Sequence, residues 1–380
     1  MVRRNKKLRH NILIVCEGTN TEPQYFASLV SLAKVAWKET HRLFIEIKPK
    51  PKLDDEFGHE KKSSNHKTPR KKRQLKTIKE TPSEEEYQPE EKYKAVPIRY
   101  VREAQEGLVD GVYESAWAVF DKDYHPKHKA AFELAKQEID GNKVKIAFSS
   151  ISFEQWILLH FEKNLTAFKK SECKEVEKSI KKSINCGTGN HPDDCYGERC
   201  VSGYLKLNTD LTSYSKSVHA ASFDKLHTRY PIALENTAWL KYQILKANLI
   251  SPIYELNPYT DMDNLVKYLL NIEEEIVWMD FHETEIFDGL KIMFSLESAD
   301  SIQLKLTNAT GKTHLFLPDS VYVTDGETNY PLVIEKVLIS PNKTVSIPLD
   351  IGVYSHLKLN FKPNINQDIR IILLDNNAIL

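Results

Sequence analysis

The sequences NILIVCEGTNTEPQYF (residues 11–26) and AWAVFDKDYH (residues 116–125) decide the predicted fold. Each opens with a short apolar run and ends in acidic side chains, Glu17 in the first and Asp121 and Asp123 in the second. Such runs are typical of strands buried on both faces of a parallel sheet. Because ligands collect beyond the carboxyl ends of parallel strands, the three carboxylates are predicted to bind a divalent cation and a phosphate group.

Strands and helices alternate along the first 160 residues, which favours a parallel α/β domain. The predicted strands cover residues 11–16, 43–47, 116–120 and 144–148, and the predicted helices cover residues 22–35, 101–114, 127–139 and 153–161. Residues 48–94 interrupt this pattern with a stretch rich in Lys, Glu and Pro. A segment so poor in apolar residues cannot bury a core, so we expect a disordered insertion there.

The pattern of apolar and polar residues changes twice in the remainder of the chain. Residues 220–250 and 262–279 have helical patterns, whereas short apolar-polar alternations separated by polar turns recur from about residue 281 and predict a small β-sandwich. The predicted domains are therefore a catalytic core (residues 8–160), a mainly helical extension (residues 161–280) and an accessory β-sandwich (residues 281–380).

Composition excludes some classes of protein. The chain has 53 basic and 53 acidic residues, so its net charge indicates no partner. No apolar run approaches the length of a membrane-spanning helix, and the short apolar run near the N-terminus ends in a charged residue, unlike a signal peptide. Five cysteines in 380 residues do not make a disulfide framework. We therefore expect a cytoplasmic protein that does not contact a membrane.

The acidic residues have the chemistry of a Mg²⁺ or Mn²⁺ site. Asp121 and Asp123 are two positions apart, so they point to the same side if the strand continues to its end, and Lys122 points away. Glu17 would come from a neighbouring strand. Mg²⁺ takes one or two protein carboxylates together with waters and substrate phosphate, and Mn²⁺ favours similar oxygen ligands. The alternative is that these residues begin turns or cap helices.

Three motifs resemble those of the RloB family in order and spacing. They are CEGTNTEPQYF (residues 16–26), FDKDYH (residues 120–125) and SISFEQWILLHFE (residues 150–162). The resemblance covers roughly residues 8–275 apart from the insertion, with a looser match at NPYTDMDNLV, and the combination of motifs is specific where a lone EG or D-x-D would not be.

This resemblance implies a Toprim-like fold, in which a Rossmann-like parallel sheet is flanked by helices. That fold is shared more distantly with topoisomerases, primases and overcoming-lysogenization-defect nucleases. The resemblance places Glu17 on the Toprim glutamate, and Asp121 and Asp123 on the D-x-D pair. It also implies nuclease activity, a role in bacterial anti-phage defence or abortive infection, and an ATPase partner.

Two further carboxylates and a histidine lie in these motifs. Glu22 either neutralises the start of a helix or supports the metal site, including as a ligand of a second metal ion. Glu154 is either a charge at a helix N-terminus or, as the family pattern favours, a residue facing the site. His160 is interpreted as a packed core histidine.

A cysteine-rich loop offers a candidate structural zinc site. Cys186, His191, Cys195 and Cys200 are four soft ligands within one loop. Their spacing differs from the C-x2-C pairs of most zinc ribbons, and free cysteines are the alternative. Zinc analysis of the purified protein decides between the two.

Basic side chains supply candidate contacts to nucleic acid. The insertion holds Lys71, Lys72 and Arg73, which could bind phosphates with little sequence preference, or could act as a solvated spacer balanced by the acidic stretch that follows. Lys206 resembles a lysine found late in the family and could contact a phosphate, or could be an ordinary surface lysine.

The leading hypothesis is a Mg²⁺- or Mn²⁺-dependent endonuclease acting on RNA or DNA. A nucleotidyl transferase or primase would use the same carboxylates, whereas a topoisomerase would also need a strand-passage gate, for which the chain looks too small. A different class of function is a catalytically silent Toprim-like interaction module of a defence complex. The expected partners are nucleic acid, the ATPase and further copies of the chain in a homo-oligomer.

Overall fold

The described part of the chain contains a mixed α/β region and several further sheets. The computed structural model describes residues 8–37, 41–50, 96–109, 111–123, 125–171, 200–211, 226–247, 251–298, 301–316, 318–324, 329–350, 356–364 and 367–373. Almost all of the predicted disordered insertion, with Lys71, Lys72 and Arg73, lies outside these ranges, as do Cys186, His191 and Cys195.

The described residues fall into two compact units. The first comprises those within Met1–Leu158, Thr166–Arg229 and Pro252–Leu265, and the second those within Leu159–Leu165, Tyr230–Ser251 and Val266–Leu380. The segment predicted as one helical extension is thus divided between the two units. The predicted domain boundaries stay a prediction.

The first unit is built on a five-stranded sheet. Its strands and helices, with a small hairpin, are β1 (Leu8–Cys16), α1 (Thr21–Ala36), β2 (His41–Lys48), α2 (Val96–Val109), β3 (Ser115–Asp121), α3 (His128–Ala135), β4 (Glu138–Ile139), β5 (Asn142–Lys143), β6 (Lys145–Ser150), α4 (Glu154–Leu158), α5 (Val201–Asn208), a 3₁₀ turn (Ile253–Glu255) and β7 (Tyr259–Thr260). The strand order is β2-β1-β3-β6-β7, with β7 alone antiparallel to its neighbour. β1 and β3 are central and deeply buried, which explains their continuous apolar runs.

Aromatic side chains from α1 and from the segment at the start of α4 pack together beside the sheet. Tyr25 and Phe26 lie against Phe153, with ring centroids 5.3 and 6.0 Å apart, and Tyr25 also meets Trp156 edge-on. All four side chains are almost fully buried. This packing brings the first turn of α1 close to the first turn of α4.

The second unit is mainly β-structure. Its elements are α6 (Tyr230–Lys246), β8 (Glu275–Met279), β9 (Thr284–Phe287), β10 (Leu290–Ser298), β11 (Ser301–Asn308), β12 (His314–Phe316), β13 (Pro318–Thr324), β14 (Asn329–Leu332), β15 (Val337–Ile339), β16 (Thr344–Asp350), β17 (His356–Asn364) and β18 (Gln367–Leu373). One sheet has the order β16-β11-β10-β9 and another β14-β13-β17-β18-β8, beside the short pair β12-β15. Both larger sheets contribute to one hydrophobic core, as expected for the predicted β-sandwich.

α6 is tied to the strands of the second unit by polar contacts. Trp278 Nε1 donates a hydrogen bond to the carbonyl oxygen of Glu235 at 3.0 Å. The Glu235 carboxylate pairs with Lys358 at 3.0 Å and with Arg370 at 2.7 Å. Because these groups are largely shielded from water, the helix is held in one register against β8, β17 and β18.

The structure corrects the helix predicted over residues 262–279. The helix α7 (Met262–Leu269) ends early, and Asn271 follows with a φ of 52°, the left-handed conformation that often terminates helices. Residues 275–279 form β8 instead, parallel to β18. Alternate side chains there, Ile276 and Trp278, are buried, which is the two-residue period of a strand.

The helix predicted over residues 127–139 is also shorter than expected. α3 ends at Ala135, and residues 138–143 form the β4-β5 hairpin. Asp140 and Gly141 both have positive φ angles, 48° and 81°, as a two-residue hairpin turn requires. Gly141 is therefore a hairpin residue rather than the end of a helix. No helix in the described residues is long and apolar enough to cross a membrane.

Candidate functional site

Three neighbouring parallel strands deliver acidic residues to one edge of the sheet. The pairing of β1 with β3 extends past Cys16, since the amide of Glu17 donates to the carbonyl of Val119 at 2.9 Å. Asp121 is the last residue of β3. Glu154 begins α4, shortly after the adjacent β6. The prediction that Glu17 comes from a strand next to the one carrying Asp121 is confirmed.

These residues surround a cavity of about 220 Å³ at the carboxyl edge of the sheet. All five carboxylates predicted to belong to the site line it. The lining consists of Glu17, Gly18, Thr19, Asn20, Thr21, Glu22, Asp121, Asp123, Phe153 and Glu154. No Lys or Arg is among these lining residues, so within the described part of the chain the cavity wall carries a strong excess of negative charge.

Asp121 lies in an unfavourable environment for a negative charge. Its side chain is only 7% exposed, and its Oδ1 atom has no hydrogen-bond donor among the described residues. Burial raises the pKa of Asp121 well above its usual value, and the charges of Glu22, Glu17, Glu154 and Asp123 raise it further. A buried carboxylate of this kind needs either a proton or a compensating cation.

The carboxylate of Glu17 is held at both oxygens. Oε2 accepts a hydrogen bond from the backbone amide of Asp121 at 3.0 Å, and Oε1 lies 2.9 Å from His125 Nε2. The hydroxyl of Tyr100 points to the Glu17 carbonyl at 3.4 Å. Burial, followed by the charge of Glu17, raises the pKa of Tyr100 to about 12, so this hydroxyl stays protonated.

Glu22 folds back onto the loop that precedes α1. A methyl group added at Gly18 would lie 1.9 Å from Glu22 Oε2, so only glycine allows this approach. Glu22 is 6% exposed and stands in the first turn of a helix whose N-cap, Asn20, provides no side-chain cap. Glu22 therefore lies both at a helix N-terminus and in the cavity wall, and its support of a metal site stays a prediction.

We expect Gly18→Ala to displace the Glu22 carboxylate while leaving the fold intact. The colliding atom is the end of a flexible side chain, so the change in melting temperature should be small. Loss of cation binding, measured by titration with Mn²⁺, would follow if Glu22 helps to shape the site. The matched control is Gly311→Ala, where the added methyl group meets nothing within 4 Å. Equal Mn²⁺ affinity of the Gly18→Ala variant and the wild type would exclude a role for Glu22 in cation binding.

Glu154 faces the cavity from a deeply buried position. Its side chain is 1% exposed, and its Oε2 atom accepts a hydrogen bond from Ser152. The neighbouring Phe153 supplies the apolar part of the wall. This placement agrees with the inward-facing alternative for Glu154.

Asp123 reaches the cavity by a different route from the one predicted. β3 ends at Asp121, and Asp123 has a φ of 25°, so the alternation of a regular strand no longer applies there. Its amide still donates to the carbonyl of Ile151 at 3.0 Å, which holds the turn against the end of β6. Lys122 points away as predicted, since its ammonium donates to the carbonyls of Glu255 and Leu256.

The donor set of the cavity fits a hard divalent cation, which prefers carboxylate oxygens. The side chains do not form a ready coordination shell: among the described residues, no three His, Cys, Asp or Glu side chains are grouped closely enough to hold a metal ion. Glu17 and Glu154 turn instead to protein donors. Neighbouring carboxylates repel one another, and Asp121 Oδ1 is buried without a hydrogen-bond donor among the described residues, so a cation beside it would be favoured.

The remaining candidate residues lie elsewhere. Lys206 is in the last turn of α5 and does not line the cavity. His160 is fully buried, as a core histidine would be. Cys200 is buried, and the other three members of the candidate zinc site are outside the described residues.

Sequence reasoning missed three contributors to the site. Gly18 and the loop through Thr21 form one wall, and the glycine directly after Glu17 was the available signal. His125 follows the D-x-D pair by two residues, but its contact with Glu17 joins distant positions of the chain and has no local signature. Phe153 was assigned only to a helix.

The chain matches one family model. A family model for RloB-like proteins matches residues 12–269, which is more than half of the chain. The chain belongs to the RloB-like protein family. All five carboxylates of the cavity lie within the matched residues, whereas β8 to β18 lie beyond them.

Other comparisons add little to the RloB-like assignment. No curated protein matches the chain. Among solved structures, a β-glucosidase from Erythrobacter marinus is similar at 10% identity and a TM-score of 0.21. The alignment covers 96% of this chain and 47% of that one, so the chain spans about half of the glucosidase. A TM-score this low carries no argument about fold or activity.

Proposed function

We propose that this RloB-like protein is a divalent-cation-dependent nuclease with a Toprim-like catalytic core. One observation carries the proposal: five carboxylates line a single cavity, and one of them, the buried Asp121, has an oxygen without a donor among the described residues. A wall of this charge is unfavourable unless a cation compensates it. Nucleic-acid phosphates are the substrate class that such a cation commonly serves.

Glu17, Asp121 and Asp123 are the residues proposed to hold the cation. When bound, Mg²⁺ or Mn²⁺ would stabilise negative charge on a phosphoryl group and make a water molecule more acidic. The Asp121 amide donates a hydrogen bond to one oxygen of Glu17, so the Glu17 side chain would lose little conformational freedom when a cation binds. Glu22, in the first turn of α1, and Glu154, in the first turn of α4, line the same cavity and would orient water or accept its proton.

The wider role implied by the family resemblance is part of the proposal. On this account the protein is an anti-phage or abortive-infection effector that works with an ATPase partner, and the β-rich second unit serves recognition or assembly. A catalytically silent interaction module would present the same fold. Cation-dependent chemistry is what separates the two.

Incubation of the purified protein with labelled tRNA, single-stranded DNA and plasmid tests the proposal. Each substrate is combined with Mg²⁺, Mn²⁺ or EDTA, beside an Asp121→Ala/Asp123→Ala double variant. We expect cutting of at least one substrate that requires the metal ion and is lost in the double variant. Wild-type-like cutting by a folded double variant would refute the assignment, and absence of cutting, alone and with the partner ATPase, would favour the silent module.

A further inference from the structure

Two residues near the end of β3, Asp121 and His125, contact the Glu17 carboxylate. At one end of the segment, the Asp121 amide donates to Glu17 Oε2 at 3.0 Å. Four residues later, the imidazole of His125 meets Glu17 Oε1 at 2.9 Å. Asp123, another cavity residue, lies between these two contacts. Residues 121–125 therefore supply two carboxylates of the site, Asp121 and Asp123, and also contact the carboxylate of Glu17.

Without such contacts, Glu17 would be repelled by its neighbours. Asp121, Glu22, Asp123 and Glu154 line the same cavity, and like charges at short distance favour rotation of a flexible side chain out toward water. The Glu17 side chain is 15% exposed and the His125 side chain is 34% exposed, so their contact is partly shielded from water. A donor at that position opposes the outward rotation.

We propose that His125 is a positioning residue whose Nε2–H holds the Glu17 carboxylate in place for a divalent cation. This inference rests on the proposed function and adds to it a residue beyond the acidic set. Each Glu17 oxygen meets a protein donor in this arrangement, and a carboxylate oxygen has two lone pairs, so such a contact is compatible with cation binding. Hydrogen bonds to metal-binding carboxylates commonly contribute about 10–100-fold in metal affinity.

The test compares His125→Leu with His125→Gln, using Mn²⁺ alone as the probe. Leucine has a similar volume but no donor, whereas the glutamine amide can present an N–H at a similar distance from the backbone. Free Mn²⁺ is measured by electron paramagnetic resonance during a titration of the full chain. We expect His125→Leu to weaken Mn²⁺ binding about 10–100-fold, and His125→Gln to restore most of the affinity, while the metal-free melting temperatures of both variants stay close to that of the wild type.

Three results would overturn the inference. Mn²⁺ affinity of His125→Leu equal to that of the wild type would show that the contact does not position Glu17, with the proposed function still standing. Glutamine no better than leucine would show that a hydrogen-bond donor is not what the site needs. If the wild type itself binds no Mn²⁺, the proposed function fails and this inference fails with it. His125→Ala replaces the leucine variant should that variant not fold.

Discussion

Asp121→Asn is expected to make the metal-free protein more stable than the wild type at neutral pH. The carboxylate it replaces is buried among four others, with one oxygen lacking a donor among the described residues. Asparagine removes the charge at nearly equal volume and supplies an amide N–H to the neighbouring carboxylates. Each kcal/mol gained would raise the melting temperature by roughly 2–4 °C for a domain of this size.

The stabilisation should depend on pH with a definite sign. Burial and the neighbouring carboxylates raise the pKa of Asp121 in the folded protein. A carboxyl whose pKa is raised by folding contributes stability below its ordinary pKa and loses that contribution as the pH rises through the folded value. The advantage of Asp121→Asn over the wild type should therefore be small in acid and grow toward neutral pH in EDTA.

Addition of Mn²⁺ should reverse the order of the two proteins. A cation that binds only the folded wild type stabilises it by about 2.7 kcal/mol at a hundred times its dissociation constant, and the variant should gain little. Asp140→Asn is the matched control, since Asp140 is exposed on the β4-β5 turn. A variant less stable than the wild type in EDTA, or equally stabilised by Mn²⁺, would contradict the account.

Glu17→Gln is expected to lower the rate of nucleic-acid cleavage by about 10³-fold or more, because a metal-binding carboxylate supports several kcal/mol of transition-state stabilisation. The amide keeps an oxygen that can accept from the Asp121 N–H, so the fold should survive. Single-turnover cleavage rates of both proteins at saturating Mg²⁺ measure the effect.

Glu106→Gln provides the control for that experiment. Glu106 is exposed on α2 and does not line the cavity, so the same chemical change there should leave cleavage unchanged. A Glu17→Gln rate within a few-fold of the Glu106→Gln rate, at saturating metal, would remove Glu17 from the reaction.

The parallel sheet and its acidic edge could be predicted because their signals are local. Strands buried on both faces need continuous apolar runs, and those of β1 and β3 end where Glu17 and Asp121 begin. Glu17, Asp121 and Asp123 could be grouped because parallel neighbouring strands end at one edge, whereas the inward-facing interpretation of Glu154 came from the family resemblance. Asp123 lines the cavity as predicted, but strand alternation is not the reason, since the chain leaves strand geometry before Asp123.

The features that could not be predicted from the sequence depend on pairing between separate segments of the chain. Residues 275–279 are apolar enough for either a helix or a strand, and the hydrogen bonds to β18 decide in favour of a strand. The Asp140-Gly141 pair suits both the end of a helix and a hairpin, and the short β4-β5 pairing decides that case. The contact of His125 with Glu17 likewise exists only once β1 and β3 lie side by side.

Anomalous X-ray scattering from crystals soaked in Mn²⁺ tests the central claim most directly. The account predicts a Mn²⁺ peak in the cavity between Glu17, Asp121 and Asp123 in the wild type, and no such peak in Asp121→Asn crystals under the same soak. A wild-type cavity without a peak at a Mn²⁺ concentration that supports cleavage, or a peak that persists unchanged in Asp121→Asn, would contradict the assignment of this cavity as the cation site.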